Sequence, residues 1–514
     1  MKRSAREFVD FAPPADWNVP VTEDTATQAA GLRSARQVAL LIIGLAGVFA
    51  IGAPASLTFL NTLLGLLLLV LTLWPWVRWF QLPQRRLPWF ETLNLHLFAV
   101  YVPPIFLAEI VFEGVGFSHH IAQSTLTTTL LLLVLGVGAF QGVFLFLQRQ
   151  APAVLRPRHF DVSRLATGSL LYLALAAFGP ILLPQFPGSL AKLSHLLFQV
   201  NAGVATYLLS AQFHAGRLSS PQRTAFHGIL AVFLILSLAS GWLTFAVFPV
   251  YCYLLADVQL RKRIPWLSLA AVALGIVAFN ATKSAFREIY WGEHMGGDRI
   301  TSLDEGFSRA TDWFRLTVEE EVDLVEAPRE TLITRLNNLA FLAHVVRWTP
   351  DRREHLGWST YATVPAMFIP RLVWPDKPSV MLVANEIAVS YGALAEWQVG
   401  KVALDIGLFT EAYIAFGLFG GLLMGAFLGL FTGLLTRWLG QPHDGLFRAA
   451  PLVAMLCGGA LMITWSLQNF LGGLWQAAFV AVVLYLPFRA REGEAAEASG
   501  TTPSETPADS EGAA

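Results

Sequence analysis

Most charged residues of this chain fall in polar stretches, so the few that do not are the first candidates for chemistry. The run Asp405-Ile-Gly-Leu-Phe-Thr-Glu411-Ala-Tyr413-Ile-Ala-Phe-Gly417 puts a carboxylate about one turn inside an uncharged apolar stretch. Glu411 could take a proton from a hydroxyl, or it could pair with an arginine and position it; positioning is the preferred reading. Across residues 331–347, Leu332, Leu336, Leu339, Leu342, Ala343 and Val346 gather on one helical face that also holds Arg335, with Asn338 one turn on. A guanidinium on an apolar face calls for an anion, either a protein carboxylate or a ligand phosphate. The alternative is an interfacial helix from which Arg335 snorkels to lipid head groups.

Three further groups of cations and rings could work with these. In Pro365-Ala-Met-Phe-Ile-Pro370-Arg371-Leu-Val-Trp374-Pro375-Asp376-Lys377-Pro378 the prolines forbid regular helix, so Arg371 and Lys377 are offered from a stiff loop. Cations held this way lose less entropy on binding a phosphate group, although a purely structural loop would look the same. Asn280, Lys283 and Arg287 are expected on one helical face, able to grip a lipid-linked diphosphate or simply to anchor a helix end. Trp348, Trp358, Trp374 and Trp397 could stack on sugar rings, though interfacial belts also attract tryptophan. Glu109 and Glu113 read as a weaker acidic face at i and i+4, and His344 and His355 as second-ranked bases.

The elements that must position these residues follow from composition. Of 514 residues 55% are hydrophobic and only 14% charged, and Gly 41, Trp 16 and Phe 37 suit packed helices in a bilayer rather than a soluble domain. A net charge of -1 gives nucleic acid no electrostatic foothold, so no nucleic-acid partner is expected. Cys252 and Cys457 both lie in apolar runs and offer neither a disulfide framework nor a cysteine metal cluster. The predicted fold is an all-α membrane protein with about twelve transmembrane helices and one large outer loop containing amphipathic helices. The expected spans are 37–53, 56–77, 92–112, 124–147, 164–183, 192–213, 225–240, 241–259, 265–282, 408–435, 449–466 and 472–488, with 225–259 divided at Ser240-Gly241.

Arg33, Arg36, Arg85, Arg86, the stretch 149–164, Arg217, Arg223, Arg261-Lys262-Arg263, Arg437, Arg448, Arg489 and Arg491 then share one side, the cytoplasm by the positive-inside rule. The organisation expected is a cytoplasmic tail 1–36 without a cleaved signal, spans one to nine over 37–282, an outer loop 283–407 with the candidate site, spans ten to twelve over 408–488, and a disordered cytoplasmic tail 489–514. Glycines 417, 421, 425, 429 and 433 recur every fourth residue, a smooth stripe for a packed helix or a polyprenyl tail, with helix packing the preferred use.

No Walker A loop, dinucleotide fingerprint, HExxH pair or Asp-x-Asp signature is present, so an activated donor would have to arrive on a membrane lipid. In the Arg335-x-x-Asn338 helix, the Pro370–Pro378 segment and the Glu411–Gly417 run, the chain resembles the bacterial O-antigen or oligosaccharide repeat-unit polymerases, the Wzy family of membrane glycosyltransferases. The likeness spans residues 230–435 in motif and the remainder in topology, and it lacks the Arg-x10-Gly repeat of some members.

That resemblance implies a multi-pass protein of the bacterial inner membrane with both termini cytoplasmic. On its outer face a glycan on undecaprenyl pyrophosphate would move onto the sugar of an incoming lipid-linked repeat unit, without metal or cofactor. Arg335, Arg371 and Lys377 would then stabilise pyrophosphate and Lys283 and Arg287 support the lipid head. Glu411 would orient an arginine or act as base, and Tyr413 and Asn338 would hydrogen-bond sugar or phosphate. The implied partners are undecaprenyl-pyrophosphate-linked oligosaccharides, the bilayer, and flippase and chain-length regulator proteins. The rivals are an O-antigen ligase-like transferase with another acceptor, a polysaccharide or lipid transporter, and an assembly scaffold.

Overall fold

The computed structural model describes residues 25–82, 86–107, 109–149, 162–182, 195–291, 300–319, 338–369, 374, 380–399, 406–439, 445–457 and 464–488. Helices α1 (Thr25–Gly52), α2 (Phe59–Gln81), α3 (Trp89–Tyr101) with its continuation α4 (Pro103–Leu107), α5 (Gln123–Gln148) and α6 (Val162–Leu182) form the first half. α7 (Asn201–His214), α8 (Ser220–Ala239), α9 (Leu243–Arg261) and α10 (Trp266–Ala281) follow. The polar connection contributes α11 (Lys283–Trp291), α12 (Leu303–Glu319), α13 (Asn338–Trp348) and α14 (Val380–Ser390). α15 (Leu408–Leu439), α16 (Gly445–Met455) and α17 (Leu467–Tyr485) complete the helices. Among the described residues the one sheet is an antiparallel hairpin, β1 (Val111–Gly114) and β2 (Phe117–His120).

Helices dominate because an apolar solvent leaves backbone N–H and C=O groups no partner but one another. Nine helices among the described residues are long and apolar enough to cross a membrane, or ten if the bent pair α10–α11 counts as one span. Of the twelve expected segments one takes another form and one is described only in part. Segment 192–213 becomes a π-helical turn, His195–Val200, followed by α7, whose residues Asn201 to Gln212 are all buried, so this helix is walled by protein rather than lipid. Segment 449–466 is described as α16 and the residues to 457; residues 458–463 lie outside the described residues. α1 begins at Thr25, well before residue 37, because Thr25–Gln37 contains good helix formers and no proline. The division at Ser240-Gly241 is present: α8 ends at Ala239, and Gly241 turns the chain with φ 72°.

The glycine stripe of α15 is spent on helix packing. A Cβ on Gly425 would lie 1.9 Å from the carbonyl oxygen of Gly136, and one on Gly429 2.5 Å from that of Phe140. α5 and α15 therefore approach backbone to backbone, as small residues permit in a bilayer.

One end of the bundle is basic. Arg86 makes a two-pronged pair with Glu91 at 2.5 and 3.2 Å. Lys262 caps α9 with φ 51° and sends its ammonium group to the Trp79 carbonyl at 3.2 Å, with the same group 3.5 Å from the Trp79 ring centre. At the other end Asn61, in the first turn of α2, donates to Gln123 Oε1 at 2.7 Å at the start of α5. The hairpin, α13, and the N-termini of α15 and α17 form a polar layer over that end.

Candidate functional site

The layer is organised by a break in α15. Phe416 (φ −140°, ψ 17°) and Gly417 (φ 62°, ψ −143°) depart from helical geometry, so the carbonyls of Tyr413 and Ile414 lose their usual donors one turn on. The loop after α13 replaces them. Leu356 N–H donates to the Ile414 carbonyl at 3.0 Å, and His355 Nδ1 lies 3.1 Å from the Tyr413 carbonyl and 3.3 Å from that of Ile414. A carbonyl can only accept, so Nδ1 of His355 carries the proton. Gly417 thus belongs to the kink and not to the packing stripe: its positive φ excludes a side chain, and a Cβ there would stand 3.2 Å from His355 Cε1.

Glu411 lies one turn into α15 and is 1% exposed. Its Oε2 accepts the backbone N–H of Leu467 at 2.6 Å, the first residue of α17. One carboxylate therefore serves the N-terminal ends of two membrane helices, where unpaired N–H groups and the helix dipole favour negative charge. The described partner of Glu411 is thus a helix end, and the arginines it was expected to orient, Arg335 and Arg371, lie outside the described residues.

Around it lie buried polar atoms that find no hydrogen-bond partner among the described residues: Tyr101 Oη, Thr410 Oγ1, Thr360 Oγ1 and Gln468 Oε1. A Cβ on Gly407 would meet both Thr410 Oγ1 and Tyr101 Oη at 3.6 Å, so these two hydroxyls share one space. Thr360 and Gln468 are joined by the amide of Gln468, which donates to the Thr360 carbonyl at 3.2 Å. The Glu411 charge, second to burial, holds the Tyr361 phenol well above its ordinary range. Buried hydroxyls without partners are costly, so such a cluster calls for water or a ligand rich in hydroxyls.

The hairpin forms the adjoining wall. The expected span 92–112 forms as far as Leu107, but Glu109 and Glu113 do not lie on a helical face. Glu113 is in β1 opposite Ser118, while Glu109 pairs with His120 at 3.2 Å on the exposed surface. Pro103 and Pro104 interrupt the helix, and the Gly114-Val-Gly116 turn, with Gly116 at φ 77°, suits a tight hairpin. Val115 N–H donates to the Gly392 carbonyl at 2.8 Å, which binds the hairpin to the chain after α14.

The other predicted residues divide. Arg335, Arg371 and Lys377 lie outside the described residues, as do most positions of the Pro370–Pro378 segment. Asn338 opens α13, whose Leu339, Leu342, Ala343 and Val346 are buried as the periodicity requires. Tyr413 is 6% exposed and its hydroxyl donates to the Thr349 carbonyl at 3.3 Å, so it holds the loop onto α15. A 53° bend between α10 and α11 parts Asn280 from Lys283 and Arg287, which remain at i and i+4 within α11. Lys283 is buried at the bend. Arg287 donates through Nε and Nη2 to the Gly241 carbonyl at 3.3 and 3.2 Å, and its guanidinium lies 3.8 Å from the Trp291 ring centre. Arg287 thereby ties α11 to the turn between α8 and α9. Trp358 and Trp397 are 74% and 70% exposed, whereas Trp348 stacks on Phe117 with ring centres 6.2 Å apart.

His344 is buried and stacked face to face on Phe112 at 3.8 Å, with Nε2 2.9 Å from the Tyr391 carbonyl. His119 and the polar cluster of Tyr101, Thr360, Thr410 and Gln468 were missed by sequence reasoning. Val111-Phe-Glu-Gly and Phe117-Ser-His-His about a Gly-containing turn is a hairpin signal that would have found the strand of His119. Nothing local marks the cluster, whose members come from four segments.

Residues 102–485 match a protein family described as a domain of unknown function (DUF8712), a range that begins within the α3–α4 junction and takes in the hairpin, α13, α15 and α17. No curated protein and no solved structure matches the chain.

Proposed function

The chain belongs to the DUF8712 family, and we propose that it is a glycosyltransferase of the bacterial cytoplasmic membrane that lengthens lipid-linked oligosaccharides on the outer face. A glycan would leave undecaprenyl pyrophosphate for a hydroxyl of an incoming lipid-linked repeat unit. What carries the reading is the layer over the non-basic end of the bundle, where buried hydroxyl and amide oxygens of Tyr101, Thr410, Thr360 and Gln468 find no partner among the described residues, beside the carboxylate of Glu411. A carbohydrate supplies hydroxyls to such groups, and the exposed rings of Trp358 and Trp397 offer it apolar faces.

The chemistry needs cations for the departing diphosphate and a group to take the acceptor proton. Arg335, Arg371 and Lys377 are assigned the diphosphate, and Lys283 the neighbouring lipid head. Glu411 is assigned a supporting role through the ends of α15 and α17, and the proton acceptor is sought elsewhere. A flippase would deliver the repeat units and a chain-length regulator would limit the product. Transport of a lipid-linked glycan is a second reading, favoured by the break in α15, since transporters build sites at discontinuous helices.

The test is reconstitution of the full chain in liposomes with purified lipid-linked repeat units. A ladder of lengthened glycans is expected. Transfer only to a different acceptor would establish a ligase, and glycan movement across the bilayer without bond formation would establish a transporter; either overturns the proposal.

A further inference from the structure

Among the described residues one pair of imidazoles is in hydrogen-bonding contact: His344 Nδ1 lies 3.4 Å from His119 Nε2. The direction of the contact is fixed at its far end. His344 Nε2 faces the Tyr391 carbonyl at 2.9 Å and must donate to it, so the neutral ring presents Nδ1 as an acceptor. His119 then donates from Nε2 and keeps a lone pair on Nδ1. Phe112, the cross-strand partner of His119, stacks on His344 at 3.8 Å and fixes the plane of that ring. The hairpin is itself held by the bond from Val115 to Gly392, one residue after Tyr391. Both ends of the relay are therefore anchored to the same turn.

Separate hydrogen bonds hold the same loop against the first turns of α15. Tyr391 Oη and Thr349 Oγ1 are 2.7 Å apart, and the Thr349 carbonyl accepts the hydroxyl of Tyr413, two residues from Glu411. On the other side, Phe117 is 36% exposed and stacks on Trp348, over which the Arg352 guanidinium lies at 5.1 Å. A partly exposed ring, a partly exposed imidazole and a cation thus adjoin one another on the rim of the layer.

The geometry points to His119 as the base that takes the acceptor proton, with His344 as its positioning residue and the Phe117 ring as a platform for the acceptor sugar. This rests on the glycosyl-transfer reading above. In the step, the acceptor O–H proton passes to His119 Nδ1 while the oxygen's electron pair forms the bond to the anomeric carbon. The bond from that carbon to the diphosphate oxygen breaks, and its electron pair leaves on the lipid diphosphate. The imidazolium so formed still donates from Nε2 to His344, whose dipole is oriented by the Tyr391 carbonyl to receive it.

Burial and the charges around the pair favour the neutral form of both rings. Burial lowers the pKa of His119, and Arg347, Arg352 and His120 lower it further by repulsion. Burial also takes His344 to about 4, with His119, Arg347 and Arg352 acting in the same direction against the Tyr391 hydrogen bond. Glu113 lies on the hairpin face opposite Phe112 and His119 by strand alternation.

The experiment measures initial rates of glycan lengthening by the reconstituted full chain between pH 4.5 and 8. The wild type should lose rate only below the ordinary histidine range near pH 6.5, as Nδ1 of His119 becomes protonated. His119→Gln can still donate to His344 and should elute normally, yet slow by about 100-fold or more, with partial rescue by added imidazole. His344→Phe keeps the stack on Phe112 and excludes water but removes the acceptor that stabilises the imidazolium, so the acid limb should move to lower pH as the rate falls. A merely structural role would lower the rate without moving the limb. Wild-type lengthening with a flat profile over this range, or His119→Gln within about threefold of wild type, would overturn the base assignment and leave the polymerase reading standing. No lengthening by wild type would sink both.

Discussion

Replacing Glu411 separates a helix-capping carboxylate from a catalytic one. The carboxylate is 1% exposed and accepts the Leu467 N–H at 2.6 Å, so the bond is charge-assisted and shielded from water. Such bonds contribute about 1.5–3 kcal/mol, against about 0.5–1.5 kcal/mol for a neutral amide acceptor. Glu411→Gln should therefore cost about 1–2 kcal/mol, because the amide oxygen can still accept but the charge at two helix ends is gone. Glu411→Ala leaves the N–H unpaired and should cost about 3 kcal/mol or more. Thermal unfolding of the purified chain in detergent, followed by tryptophan fluorescence, should rank wild type above Gln above Ala, with the first step lowering the midpoint by about 1–2 °C. Glycan lengthening per folded molecule should stay within about tenfold of wild type in Glu411→Gln, since a base contributes about 100-fold or more. A Gln variant as stable as wild type but slower by that larger factor would refute the capping account and make Glu411 the proton acceptor.

Gly425→Ala should destabilise the bundle by about 1–3 kcal/mol, because the new methyl group meets the Gly136 carbonyl at 1.9 Å and backbone cannot yield; Gly138→Ala, with nothing within 4 Å, is the control, and equal midpoints for the two variants would contradict the packing. Arg335→Ala and Arg371→Ala should each abolish lengthening while leaving membrane abundance unchanged, as immunoblots and glycan gels on the same cells would show; wild-type chain lengths in both would remove them from the site. Trp397→Cys should react with a membrane-impermeant maleimide added to intact spheroplasts. Cys252 and Cys457 are buried and give little background. Labelling only after lysis would reverse the orientation on which the proposed reaction depends.

The polar layer shows which sequence signals survive folding. The buried face of α13, the packing stripe of α15 and the turn at Gly241 were all legible, because helical periodicity, small residues and glycine act through the backbone of their own segment. The site was legible only in part. Glu411 stood out because an apolar run makes a lone carboxylate conspicuous, but its partner at Leu467 belongs to another helix. Arg287 looked free on a cationic face until the bend and the Gly241 carbonyl gave it a packing task. The expected span ended at residue 112, inside β1, and the hairpin with His119 went unread because two four-residue strands carry little periodic signal.

By itself the sequence determined that this chain is a multi-pass helical membrane protein, since the exclusion of polar groups from lipid acts on each segment independently. Only the tertiary structure decided which polar groups meet. The pairing of His119 with His344, the bond from Leu467 to Glu411 and the shared space of the Tyr101 and Thr410 hydroxyls all join distant segments. Hydrogen bonds extend about 3 Å and carry no trace along the chain, so no local pattern could have announced them.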